Sequence, residues 1–142
     1  MPEGTIETLV AAAQSASTSS NLQVLDVVAV QAGERKNRLS ALAGNQACIR
    51  HAPLFVVWLA DLSRVSRIAL PYLESLLMGT IAAALAAQNA VVALESLSLG
   101  SVYIGAIRND IEGVAKELEL PPGLSSIRAM RLVTDRMNGR QR

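Results

Sequence analysis

Apolar residues at Ile6, Leu9, Val10 and Ala13 repeat at the i, i+3, i+4, i+7 spacing of one helical face. The pattern predicts a first helix with Thr5 as its N-cap and Glu7 in the first turn, where a carboxylate suits the positive end of the dipole. That helix should stop at "SASTSS" (15–20), whose hydroxyls compete for backbone hydrogen bonds. "VLDVVAV" (24–30) and "LFVVWLA" (54–60) are continuous apolar runs of strand length, each expected to be buried on both faces. Between them, "ERKNRLSALA" (34–43) reads as a surface helix and "GNQACIRHA" (44–52) as a turn or short helix. A basic connection, "DLSRVSRIALP", leads into an alanine-dominated helix over about 72–97, with Gly100 as its stop. "SVYIG" (101–105) predicts a third strand. Asp110 then caps "DIEGVAKELEL", whose apolar face is Ile111, Val114 and Leu118, and "PPG" (121–123) ends it.

Strands separated by helices predict an α/β (α+β) fold, a small mixed sheet flanked by helices, with a long Ala-rich central helix. After residue 123 the character changes. Arg128, Arg131, Arg136, Arg140 and Arg142 stand against a single acid, Asp135, with neither strand alternation nor a helical face. The expected organisation is one domain over 1–123 and an Arg-rich tail over 124–142 outside it, for which disorder is one expectation.

Composition narrows the chemistry. The 142 residues suit one domain, and with 51% hydrophobic but only 3% aromatic residues the core must be built from Ala, Leu, Val and Ile. A net charge of +1 leaves no electrostatic footprint for nucleic acid or an anionic membrane. Cys48 and His51 each stand alone, which excludes an intramolecular disulfide, a cysteine metal cluster and a Cys/His or Ser/His site built on several histidines. The start "MPEGTIETL" lacks the make-up of a signal peptide, so a cytoplasmic protein is expected. The segment 76–94 is uncharged and near spanning length, but its alanines and its Thr80, Gln88 and Asn89 favour a helix buried on most sides over a membrane span.

Single motifs are ambiguous. The hydroxyl cluster is either a polar loop or a ligand cradle. A strand ending in Gly105 either lets the backbone approach a flat ligand or only serves the next turn. Gln46 is either a donor to a ring carbonyl or a solvated amide. Cys48 reads as a small hydrophobe, His51 as a surface residue and Trp58 as core.

Taken in order, "LVAAAQSASTSSNLQ", "LAGNQ", "APLFVVWLADLSR", "LAAQNAVVALESLSLGSVYIGAIRND" and "LELPPG" resemble successive blocks of the flavin-dependent nitroreductase superfamily over about residues 2–123. The likeness is strongest to the NADPH-dependent, oxygen-insensitive nitroreductase and flavin reductase branch. It implies that Thr18, Ser19 and Ser20 contact FMN with Asn21 beside them, and that Gln46 hydrogen-bonds the isoalloxazine edge. It also implies that the backbone of Tyr103, Ile104, Gly105 and Ala106 runs along the ring. The activity implied is hydride transfer from NADPH through FMN to a nitroaromatic, quinone or free flavin, in a homodimer that shares the site across its two-fold axis. The flavin carries the reaction, so no catalytic side chain and no metal are expected. Set against the family pattern, the chain starts after a helix with an Arg-Ser-x-Arg motif that grips the FMN phosphate. It also departs after "LPPG" from a strand and a Lys/Arg segment, and so is expected to be a member shortened at both ends. Losing two or three charge-assisted phosphate bonds would weaken FMN by roughly 3–9 kcal/mol. The alternative expectation is therefore a non-catalytic subunit acting as a structural or interaction protein.

Overall fold

The computed structural model describes residues 1–65, 71–121 and, for the backbone, 124–133. Its elements are α1 (Thr5–Gln14), β1 (Leu25–Val30), α2 (Gly33–Leu42), α3 (Ala47–His51), β2 (Leu54–Asp61), α4 (Tyr72–Ser96), β3 (Gly100–Ile104), α5 (Ile111–Glu117) and β4 (Leu124–Val133). Short 3-10 segments cover Ser19–Asn21 and Gly105–Asp110.

The strands form one sheet in the order β1-β2-β4-β3, with every pairing antiparallel. β2 carries the core, and all of Leu54–Asp61 is buried. Its alternate residues Leu54, Val56 and Trp58 meet α1 and α4, whereas Phe55, Val57 and Leu59 meet α2, α3, α5 and the Gly105–Asp110 turn. The result is a helix–sheet–helix sandwich, the arrangement that covers both faces of a fully apolar strand. Burying each large side chain such as Phe55 or Leu59 contributes roughly 1.5–3 kcal/mol.

α4 lies directly on the sheet. A Cβ added at Gly79 would stand 2.9 Å from the Cβ of Ala60, closer than real carbons approach, so glycine is what lets the helix backbone rest on β2. Ala82, Ala83, Ala86, Ala87 and Ala90 continue that buried line. The expected Asp110 cap is present, its Oδ1 accepting from the Gly113 amide at 2.8 Å.

Five expectations need correction. The sheet is antiparallel rather than mixed, because β4 inserts between β2 and β3 and runs opposite to both. β4 occupies Leu124–Val133, where a tail outside the domain is expected. The alternation that would have revealed it is interrupted by a bulge, where Trp58 pairs with Arg128 and Leu59 with Ser126, leaving Ile127 as an extra residue. The remainder of the expected tail, 134–142, lies outside the described residues. β1 is not buried on both faces; as an edge strand it is mostly half-buried. Thr5 is the first residue of α1 rather than its cap: Gly4, at φ 75°, occupies the cap, and the buried Thr5 hydroxyl donates to the Pro2 carbonyl at 2.7 Å. Finally, α4 is buried on one face only, since the sheet and α1 cover a single side of it.

Candidate functional site

The hydroxyl loop precedes β1 at one edge of the sheet. Ser20, Asn21 and Gln23 all adopt left-handed backbone, with φ of 48°, 54° and 52°. Such conformations cost an L-residue roughly 1–2 kcal/mol each, so the loop must be held. The Thr18 hydroxyl accepts from the Gln23 amide at 3.2 Å, and Gln23 Nε2 donates to Asn21 Oδ1 at 2.9 Å. Leu22 and Val24 anchor the loop in a small apolar cluster with Val65 and Ala82. These restraints leave Ser19, Ser20 and Asn21 exposed.

Arg64 fastens the end of the loop. It donates to the Gln23 carbonyl at 2.8 Å, to Asp26 Oδ1 at 2.9 Å and to Asp61 Oδ2 at 2.6 Å. Burial acts to raise the Asp61 pKa, but hydrogen bonds from the Ser63 hydroxyl and amide and from Arg64 outweigh it and hold the group below its ordinary 3.8. Asp26 is raised, chiefly by burial and further by the neighbouring Asp61 charge, against the opposing pull of Arg64. Beside this cluster, a cavity of about 200 Å³ opens between α1 and β1, lined by Val10, Gln14, Leu25, Asp26, Trp58 and Arg64. Trp58 is core, as expected, although its buried Nε1 has no partner among the described residues.

The second group lies towards the other edge. Gly44 and Asn45, at φ 68° and 58°, turn the chain out of α2, and Gln46 caps α3. A Cβ at Gly44 would stand 3.6 Å from Asn109 Nδ2, so this turn rests on the Gly105–Asp110 segment. Cys48 and Ala106 pack against the same apolar cluster. The turn before Gln46 and the segment that follows Ile104 are thus neighbours, with Ile104 and Ala106 in the same apolar cluster as Cys48. Gly105 is exposed, and a Cβ there would meet only the Arg108 guanidinium, at 3.4 Å. Tyr103 packs towards the α1/α4 layer and Ile104 into the opposite one, so what this stretch presents outward is backbone.

The two groups do not meet within one chain. Residue Ile104 aligns through Ala129 and Val57 with Val28, so β3 and β1 stand at opposite edges of the sheet. Three strand spacings, roughly 14 Å, separate them.

A third feature is the outer face of α4. Leu73, Leu77, Ile81 and Leu85 recur every fourth residue and are all exposed, with Val92 further along. They form an apolar ridge of the kind that packs into the groove of another helix. α4 has the length and apolarity to cross a membrane, yet its alanine face is spent on the sheet. His51 is exposed and Cys48 is a half-buried free thiol, in line with their expected readings. Among the described residues, no three His, Cys, Asp or Glu are grouped to hold a metal.

Sequence reasoning missed Ser40, Arg50 and the Asp26–Arg64–Asp61 cluster. The last had one faint signal, a carboxylate inside or closing each apolar run, "VLDVV" and "LAD".

Comparison with known proteins decides the family. The pattern of the family described as Nitroreductase matches residues 35–132. The chain belongs to the nitroreductase family. It is 42% identical over 126 residues to an FMN reductase (NADPH) of Bacillus subtilis, covering 82% of this chain and 51% of that protein. It is 41% identical over 119 residues to an oxygen-insensitive NADPH nitroreductase of Salmonella typhimurium, covering 81% and 50%. Among solved structures, the NADPH:FMN oxidoreductase of Vibrio harveyi complexed with NAD+ superposes with a TM-score of 0.88 at 33% identity, covering 100% of this chain and 64% of that one. Nitroreductase A from Vibrio parahaemolyticus gives 0.90 at 34% identity, covering 99% and 62%. The chain spans about half the length of the relatives matched by sequence. The nitroreductase match runs through β4 to residue 132, so Leu124–Leu132 belong with the family domain rather than with a tail.

Proposed function

We propose that the protein is a cytoplasmic, homodimeric NAD(P)H-dependent nitroreductase or flavin reductase that holds FMN where two copies meet. One observation carries the reading. The turn that leads into Gln46 rests on the Gly105–Asp110 segment beside the β3 edge of the sheet, while the hydroxyl loop leads into β1 at the opposite edge, three strand spacings or roughly 14 Å across, which supports a site that a second copy completes. The apolar α4 ridge supplies a surface for that copy, and a two-fold axis presents the same ridge from each side.

The residues fit FMN. Gly105 leaves an exposed, side-chain-free stretch against which a ring can lie. The Gln46 side-chain NH2 engages no other described group and is open to a ring carbonyl. Ser19 and Ser20 are exposed and their hydroxyls engage no partner among the described residues, and Thr18 and Asn21 shape the loop that carries them. When bound, FMN supplies hydride transfer from NADPH to a nitroaromatic, a quinone or free flavin. The chain orients the ring, closes one side of it against solvent and donates hydrogen bonds to its rim; no side chain has to move a proton.

The purified chain, titrated with FMN, should turn yellow and then bleach when NADPH is added without oxygen. A folded dimer that stays colourless at saturating FMN would reject the enzyme reading in favour of a non-catalytic subunit.

A further inference from the structure

We propose that Ser40 and Arg50 are positioning residues that hold Gln46 ready for the ring edge, an inference that rests on the flavin reading above. Ser40 sits on α2 and is fully buried. A serine within a helix ordinarily turns its hydroxyl back to the carbonyl one turn earlier. This one reaches out of the helix instead, donating to the Gln46 carbonyl at 2.9 Å and accepting from Arg50 Nη1 at 2.7 Å. The direction is forced, because a guanidinium can only donate and a carbonyl can only accept. The same carbonyl receives the Ile49 amide at 3.0 Å, so both of its lone pairs are used. Arg50 also reaches the Asn45 carbonyl at 3.4 Å, next to the left-handed pair Gly44 and Asn45.

The Gln46 carbonyl is therefore held by two donors and the preceding Asn45 carbonyl by Arg50, while the Gln46 side chain is left almost unengaged, its Oε1 meeting the weak Cys48 thiol at 3.8 Å. A fixed backbone under a free amide is what a preorganised donor requires, since less rotational freedom is lost when the ligand arrives.

Two variants and a cycle test this. In Ser40→Ala and, separately, Arg50→Met, amide exchange at Asn45–Ala47 should speed up about tenfold while β2 exchange is unchanged, and the FMN Kd should rise about tenfold. On a Gln46→Ala background, Ser40→Ala should then leave the Kd unchanged, because the residue it positions is gone. Unaltered exchange at the turn in both variants overturns the inference. So does an equal loss of FMN affinity from Ser40→Ala with and without Gln46, which would make the role purely structural. Gln46→Ala binding FMN as well as the parent defeats the flavin contact itself and the inference with it. If the parent chain takes up no FMN, the flavin reading fails, and exchange at the turn alone then decides whether Ser40 and Arg50 hold Gln46.

Discussion

Two polar turns in this chain are each fastened by an arginine, and they are fastened differently. At the β1 edge, Arg64 is locked between two carboxylates and the Gln23 carbonyl, so charge holds the loop from behind while its strained Ser20 and Asn21 stay exposed. At the Gln46 turn, Arg50 works through a neutral hydroxyl and carbonyls, with no carboxylate partner among the described residues. The first device fixes the outline of a loop, and the second fixes one donor. Their separation across the sheet is the more instructive difference. On the proposed reading each is half of a binding site, and a second copy joins them.

The comparison breaks most visibly if the copies are kept apart. Leu77→Glu with Leu85→Glu removes two exposed apolar residues from each copy and places carboxylates there. It should weaken association by about 6 kcal/mol, more than four decades in the dimer Kd, and abolish FMN uptake, while the monomer keeps its circular dichroism. Sedimentation of the variant as an intact dimer would remove α4 from the interface. Gly105→Val comes next. Its Cβ meets only the Arg108 guanidinium, whereas a ring lying on this backbone would meet the whole side chain, so FMN affinity should drop about a hundredfold, near 2.8 kcal/mol, with the melting temperature little changed. Equal flavin content in variant and parent would count against the ring lying on this backbone.

Smaller effects sharpen the contrast between the loops. Ser20→Gly relieves a left-handed serine and removes an outward hydroxyl. Stability should rise by about 0.5–1 kcal/mol while FMN binding falls about fivefold, two changes of opposite sign in one variant. A purely structural loop would show only the first. Asp61→Asn gives the smallest effect. The native carboxylate is held below 3.8, so it contributes stability above that pH and loses it as pH falls through its folded value. The asparagine variant should therefore show a shallower decline in acid below about pH 4 than the parent. An identical acid limb would mean that the Arg64 cluster does not stabilise the fold.

Much of this architecture was legible because local pattern and tertiary packing agree. The Ala-rich α4, the apolar β2 and the Asp110-capped α5 stand where spacing and capping placed them. β4 was hidden because a bulge at Ile127 breaks the alternation by which a strand is recognised, and two of its arginines read as a tail. The outer ridge of α4 was hidden for another reason: an all-round apolar helix looks buried whether a sheet or a second copy covers its far side. In the site, Gln46 and the Tyr103–Ala106 stretch were legible through family resemblance, and the turn before Gln46 rests on the segment that Gly105 opens. The arginine clamps were not, since Arg64 finds Asp26, and Arg50 finds Ser40, only after the chain has folded back.

The claim on which the account stands is that FMN is held between two copies of the chain. Sedimentation across a range of protein concentrations, followed at the visible absorption band of flavin, tests it directly. The account predicts that bound flavin travels only with the dimer and is released as the dimer dissociates. Flavin sedimenting with the monomer would contradict it.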